Sequence, residues 1–256
     1  MNHHDADTRR TGAPPRCYVI THERSGTHLM INLLIKNSLE PLEWQSVGRW
    51  FGPYDRPATA LDHVHRFNRT DHGPTIIAKW HADHALFEHA AKCAPVIYVY
   101  RDPRDVLMSW WEILNHRPYY ANAPHPIADC SCDSFSAFLH RPANDYLRFC
   151  YSLHGRFTNV VERLADHLDG WLNAPDRFVV RYEQLVTDPS IVHEVASHID
   201  LPVRDRIEPV RLGDMWTAYP RRGVIGDWRY VMRYDDEHFV REMMEARKLD
   251  WKTLIA

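Results

Sequence analysis

Val19-Ile20-Thr21-His22-Glu23-Arg24-Ser25-Gly26-Thr27-His28-Leu29 joins the end of an apolar run, a polar turn and the start of an apolar-periodic segment. The run Cys17 to Ile20 reads as a buried strand. Leu29, Leu33 and Leu34 recur at helical spacing. Strand, turn, helix is therefore expected. The turn places a cation, hydroxyls and a glycine at the helix start. Backbone N–H groups there attract anions, and Arg24, Ser25 and Thr27 add charge and donors. The pattern is a phosphate cradle, but not G-x-x-x-x-G-K-[ST], because no Lys follows Gly26.

Two further segments carry the same logic. Val96 to Tyr100 reads as a strand and runs into Arg101-Asp102-Pro103-Arg104-Asp105-Val106-Leu107-Met108-Ser109. Asp102 can cap a helix whose first turn holds Pro103. Arg101 then stands at a strand's C-terminal end, where open α/β sheets bind ligands. Ser109 follows about two helical turns on. Downstream, Arg221-Arg222-Gly223-Val224-Ile225-Gly226-Asp227-Trp228 is a basic loop punctuated by glycine.

Together these segments resemble the 3′-phosphoadenosine-5′-phosphosulfate (PAPS)-dependent sulfotransferases, over residues 16 to 245 or so. Glu23 to Leu29 is similar to P-K-S-G-T-T-W of cytosolic members, and closer to P-R-S-G-T-T-L of tyrosylprotein sulfotransferases. Tyr98 to Ser109 follows Y-V-x-R-[ND]-P-[KR]-D-V-x-x-S, and Arg221 to Trp228 follows R-K-G-x-x-G-D-W. The resemblance implies a P-loop-like sulfotransferase fold: one α/β domain at 16–256, with a mostly parallel central sheet flanked by helices. Alternating strand and helix signals agree.

The resemblance also distributes roles. Arg24, Ser25, Gly26, Thr27 and His28 would hold the donor's 5′-phosphate, with Arg24 also at the leaving oxygen. Arg101 and Ser109 would hold the 3′-phosphate, and Arg221, Arg222 and Gly223 would close over it. Tyr182, in Arg181-Tyr182-Glu183, would meet the adenine edge. Lys79-Trp80-His81 matches K-T-H, so His81 would be the base and Lys79 would face the sulfo group. Histidine titrates near neutrality and suits that work. His28, His63, His65 and His84 are its rivals. The chain departs from the pattern at Glu23 (for Pro), His28 (for Thr) and Leu29 (for Trp), so one adenine-stacking surface is lost. The implied co-substrate is PAPS, released as adenosine 3′,5′-bisphosphate (PAP), with no metal.

Simpler readings stand beside these: helix capping for Ser25 to Thr27, a solvated strand-end Lys79, an exposed His81, and an ion pair of Arg101 with Asp102 or Asp105. A P-loop phosphotransferase and a non-catalytic nucleotide-binding protein are the alternative functions.

A chain of 256 residues with 45% hydrophobic content can build a sizeable core. A net charge of −3 argues against nucleic acid or an anionic membrane as partner. Most of the 18 histidines are scattered, and no metal-ligand spacing among them is convincing. Five cysteines without a C-x-x-C fit a reducing compartment, hence the cytoplasm. Residues 1–15 read as a disordered tail, and no apolar run of about 18 residues could span a bilayer. Residues 41–73 and 115–133 read as loops over an acceptor pocket. Their Trp44, Trp50, Phe51, Tyr54, Tyr119 and Tyr120 fit either a surface for a small aromatic or apolar acceptor or the packing of a lid. A helix is expected over 144–168.

Overall fold

The structure, a computed structural model, describes residues 13–47, 73–88, 94–116, 132–142, 157–211 and 223–256. Five strands form one all-parallel sheet: β1 (Cys17–Thr21), β2 (Glu43–Ser46), β3 (Ile76–Trp80), β4 (Val96–Tyr100) and β5 (Arg177–Arg181). Their order is β2-β3-β1-β4-β5. β1 is central, with Cys17 beside Ile77 of β3 and Tyr18 beside Val96 of β4.

The helices are α1 (Thr27–Asn37), α2 (His84–Glu88), α3 (Pro103–His116), α4 (Phe135–His140) and α5 (Val160–Leu172). α6 (Tyr182–Thr187), α7 (Val192–His198), α8 (Tyr234–Glu245) and α9 (Trp251–Ile255) follow, with 3-10 turns at Pro189–Ile191 and Asp227–Tyr230. The period-2 alternation of strand side chains splits the core in two. Tyr18, Ile20, Ala78, Trp80 and Tyr98 pack on α2, α3, α4, α5, α8 and α9. Cys17, Val19, Ile77, Ile97 and Val99 pack on α1, α6 and α7. A parallel sheet covered on both faces needs such near-continuous apolar strands.

All strands run the same way, so their C-terminal ends share one rim. There the chain leaves β1 for the cradle, β3 for His81, β4 for Arg101 and β5 for Tyr182. The cradle sits where the strand order changes direction, the usual ligand crevice of such sheets.

Three expectations are corrected. Part of 41–73 is not loop: Glu43–Ser46 is an edge strand paired with β3. Only Trp44 among its residues is apolar, and edge pairing rests on backbone hydrogen bonds, so no hydrophobic pattern announced it. Of the helix expected over 144–168, the described residues 157–159 are not helical and α5 starts at Val160. Asn159 caps α5 by accepting from Glu162 N at 2.8 Å, and Thr158 N donates to Glu162 Oε2 at 2.6 Å. A strand expected over Arg177 to Tyr182 ends at Arg181, and Tyr182 begins α6 instead.

Residues 48–72 and 117–131, with Trp50, Phe51, Tyr54, Tyr119 and Tyr120, lie outside the described residues, as do 1–12 of the expected tail and 143–156 of the expected helix. Among the described residues no helix is long and apolar enough to cross a membrane.

Candidate active site

The cradle turn is closed by Ser25 N donating to His22 O at 3.2 Å. Arg24 adopts φ 71° and Gly26 φ 100°, both left-handed. A left-handed backbone at a non-glycine residue is unfavourable and clusters at functional sites. At Gly26 a side chain is also excluded by space: an added Cβ would lie 2.4 Å from Cδ2 of Tyr182. The cradle glycine therefore carries the Tyr182 ring on its open face. Gly26 is the N-cap of α1, and no side chain caps the first turn. Ser25 and Thr27 are buried in the turn, so capping is not what they do for α1.

His81 is buried, which removes the reading of an exposed loop histidine. Its Nδ1 lies 2.9 Å from the Thr21 carbonyl oxygen. A carbonyl only accepts, so the proton sits on Nδ1 and Nε2 keeps its lone pair. Thr21 Oγ1 is 3.1 Å from the same Nδ1 and 2.5 Å from Thr27 Oγ1, which joins the imidazole to the cradle. Burial, then the Lys79 charge, pulls the His81 pKa down to about 4.

Lys79 is only 9% exposed, so it is not a solvated strand-end lysine. Burial lowers its pKa to about 8; Glu23 pulls it up and Arg24 pushes it down. Its Nζ is 3.1 Å from His28 Nε2. Arg24 Nε donates to Ser109 Oγ at 3.1 Å, so the cradle cation and the helix serine, expected at opposite phosphates, meet.

Arg101 does pair with Asp105, at 3.4 Å, as the simpler reading held, yet this does not exhaust it. Its Nη2 donates to Val224 O at 2.8 Å, and its guanidinium stacks 4.5 Å from the Tyr182 ring centroid. Its Nε is buried with no hydrogen-bond partner among the described residues. An orphaned buried donor is costly, and an anion would relieve it. Asp105 also accepts from Gly226 N at 2.8 Å, and Tyr182 Oη donates to Gly223 O at 3.3 Å. The 223–226 loop is thus stitched to Arg101 and Tyr182. Arg221 and Arg222 lie outside the described residues. Trp228 is structural: Arg104 and Arg229 stack on it, with guanidinium carbons 3.8 Å and 4.8 Å from the ring centroid.

Of the rival histidines, His84 packs edge-on against Trp171 at 5.1 Å, within the helical layer. His63 and His65 lie outside the described residues. Sequence reasoning gave Thr21 and Asp105 no part in the site, and set Trp44 in a loop over the acceptor pocket rather than on a strand beside Lys79. The Asp105 carboxylate ties Arg101 to the 223–226 loop, and only its i,i+4 spacing from Arg101 hinted at it. Glu23, the residue in the family's proline position, is buried and pairs with Arg163 at 2.5 Å.

The model of the sulfotransferase domain matches residues 14–252. The chain belongs to the sulfotransferase family. No curated protein matches this sulfotransferase significantly in sequence. In fold it is similar to the mouse sulfotransferase SULT7A1 complexed with PAP: TM-score 0.64, 14% identity, 96% of this chain and 91% of that one. It is also similar to retinol dehydratase. The complex of that enzyme with androsterone and inactive cofactor PAP gives TM-score 0.58 and 15% identity, over 91% and 80% of the two chains. Its complex with retinol and PAP gives 0.56 and 14%, over 91% and 81%.

The residues present fit a doubly phosphorylated adenosine. The α1 terminus without a side-chain cap and the orphaned Arg101 Nε each offer donors that an anion would satisfy, and the Tyr182 ring lies between Gly26 and Arg101.

Proposed function

We propose that this protein moves a sulfo group from PAPS to a hydroxyl, or an amine, of a small-molecule acceptor, with PAP as the other product. The observation that carries this reading is the unpartnered Arg101 Nε, buried at one end of a site whose other end is the α1 terminus. Two anion sites on one adenosine are what distinguish PAP from AMP. The PAP complexes of the structural relatives are consistent with it.

The donor supplies an activated sulfo group on a phosphate leaving group. Ser25, Thr27 and the α1 amides hold its 5′ side. Arg101, Ser109 and the loop of Arg221, Arg222 and Gly223 hold its 3′ side, and Tyr182 lies against the adenine. His81 takes the acceptor's proton at Nε2, the nitrogen left basic by the Nδ1–H bond to Thr21 O. Arg24 and Lys79 are fixed cations that favour charge developing on the leaving oxygen. No metal enters this scheme. Residues 16–256 form the transferase domain. The androsterone and retinol of one relative's complexes fit an apolar acceptor. A cytoplasmic setting agrees with the cysteine usage: Cys17 is free, and burial pushes its thiol up to about 12, which makes it inert.

Calorimetry with PAP, AMP and ATP tests the donor. PAP should bind far more tightly than either; equal affinity for AMP would sink the reading. Incubation of metabolite extracts with PAPS and protein, followed by mass spectrometry, should reveal an acceptor that gains one sulfo group. Chelation should leave that transfer intact. Loss on chelation with recovery on adding Mg²⁺ would point to phosphoryl transfer instead.

A further inference from the structure

Lys79 ends β3 against two aromatic side chains from two other elements. Its Nζ lies 3.1 Å from Nε2 of His28 on α1 and 5.3 Å from the ring centroid of Trp44 on β2. The two rings meet edge to face at 5.4 Å and 83°, so they brace each other as well as the ammonium. An ammonium has donors only, and His28 Nε2 must therefore be the accepting nitrogen. A buried ammonium is tolerated where it is paired and hydrogen-bonded. A cation over an indole face is drawn to its quadrupole.

From these contacts we infer that His28 and Trp44 are positioning residues that hold the Lys79 ammonium charged and fixed beside the transfer site. The inference rests on the sulfotransferase reading for what Lys79 then does. The contact itself does not depend on that reading. It also assigns His28, the histidine where the family pattern has threonine, a task other than proton transfer. Its Nε2 is occupied as an acceptor. Burial, and then the charges of Lys79, His81 and Arg24, hold its pKa at about 3, so it stays neutral.

Among the described residues, the charged and titratable groups that act on Lys79 come from the cradle turn, the end of β3 and α1. Glu23 in the cradle turn attracts the ammonium, but this carboxylate is already engaged by Arg163. Arg24, in the same turn, repels it. His81, just past β3, has its own pKa lowered by Lys79, so the two repel when both are protonated. His28 and Trp44 are the neighbours whose hydrogen bond and ring face favour the charged form without adding charge. Edge strand β2 thereby gains a role: it brings an indole to the rim beside the cradle.

Lysine labelled with ¹³C at Cε gives a readout that needs neither donor nor acceptor. The chain has five lysines, and Lys79→Arg assigns the signal. In the parent protein the Lys79 signal should titrate near pH 8, displaced by the Trp44 ring current. His28→Leu should lower that midpoint by about one unit, the scale of a lost charge-assisted bond. His28→Gln, whose amide oxygen can accept, should restore it. Trp44→Leu should lower it by less and abolish the ring-current displacement. In turnover, His28→Leu should reduce kcat about tenfold with little change in donor KM, as displaced catalytic groups do. The alkaline limb of the pH profile should move to lower pH. A Lys79 titration unmoved, or raised, in both His28→Leu and Trp44→Leu overturns the inference. Should His28→Leu fail to fold, Trp44→Leu on the edge strand decides alone. A chain with the expected titrations but no sulfo transfer would refute the function and leave the clamp standing.

Discussion

Around Arg101 each cation has met a carboxylate or a carbonyl. Asp105 lies 3.4 Å away and ties in Gly226, while Val224 O accepts from Nη2 at 2.8 Å. Around Lys79 and His81 the neighbours are imidazoles, an indole and hydroxyls. The nearby carboxylate, Glu23, is turned to Arg163. There burial has drawn His28, Lys79 and His81 below their ordinary pKa values. The first region is braced by its own ion pair and hydrogen bonds, as the proposed gripping of a ligand would require. The second keeps bases neutral and a cation under tension, which suits groups whose charge must change partners during a reaction. Both regions belong to one rim of one sheet, so the contrast comes from side chains alone.

The sharpest way to break the contrast is at the chemical end. His81→Ala should slow turnover of an alcohol acceptor by about 10²-fold or more. PAP affinity by calorimetry should stay near that of the parent. A matching loss of PAP affinity would move His81 into the gripping region.

Arg101→Ala attacks the other region. It should weaken PAP binding by about tenfold to a hundredfold, the worth of a charge-assisted bond, and abolish the preference for PAP over AMP. An unchanged ratio of the two affinities would show that the 3′-phosphate is held elsewhere.

The seam between the regions is Gly26 under Tyr182. Gly26→Ala should lower Tm and weaken donor binding, because the new methyl faces both a left-handed backbone and a ring at 2.4 Å. The cost should be about 1–3 kcal/mol. Adding Tyr182→Ala should recover the steric part and leave the backbone part. A double variant no better than the single would mean that the ring moves aside freely.

The smallest effect should be in stability between pH 7 and 6. His22 and His28 are held at about 3 and His81 at about 4, chiefly by burial, and His167 is lowered as well. The unfolded chain takes up these protons near pH 6.5, and the folded one only far below. Stability is therefore intact above 6.5 and lost progressively as the pH falls towards 4. Denaturant midpoints should hold from pH 8 to 7, begin to fall by 6 and drop steeply by 5. A flat profile down to pH 5 would contradict neutral burial of these imidazoles.

How legible was this in the chain? The sheet and both flanking layers were, because β1, β3 and β4 are continuous apolar runs and α1 and α3 carry clear periodicity. The places of Arg24, Lys79, His81, Arg101 and Ser109 at strand ends or helix turns were legible too, while the roles expected of them came from the family resemblance. Trp44 was read into a loop over the acceptor pocket and not onto a strand beside Lys79, since a four-residue edge strand with one apolar side chain gives no periodic signal. Thr21 looked like the end of a strand; its carbonyl matters only because β3 lies beside β1 and delivers His81 to it. Asp105 had a partner within its own helix turn, and nothing local revealed that the 223–226 loop would come to it. Contacts between segments far apart in sequence are set by packing, which one-dimensional pattern does not carry.

The central place of β1 has a consequence for the order in which the molecule assembles. Its first partner in the sheet, β3, arrives sixty residues later in register, Cys17 against Ile77, and β4 later still. The strand that follows β1 among the described residues, β2, pairs there with β3 and not with β1. A nascent chain emerging from the ribosome therefore exposes this fully buried strand with nothing to pair it until two long connections have closed. Such long-range pairing is slow to form. Pulse-labelling hydrogen exchange should find the β1 amides protected only together with those of β4, after α5 and α8 already show protection. The phosphate cradle hangs from the end of that same strand, and so should be among the last parts of the molecule to become competent.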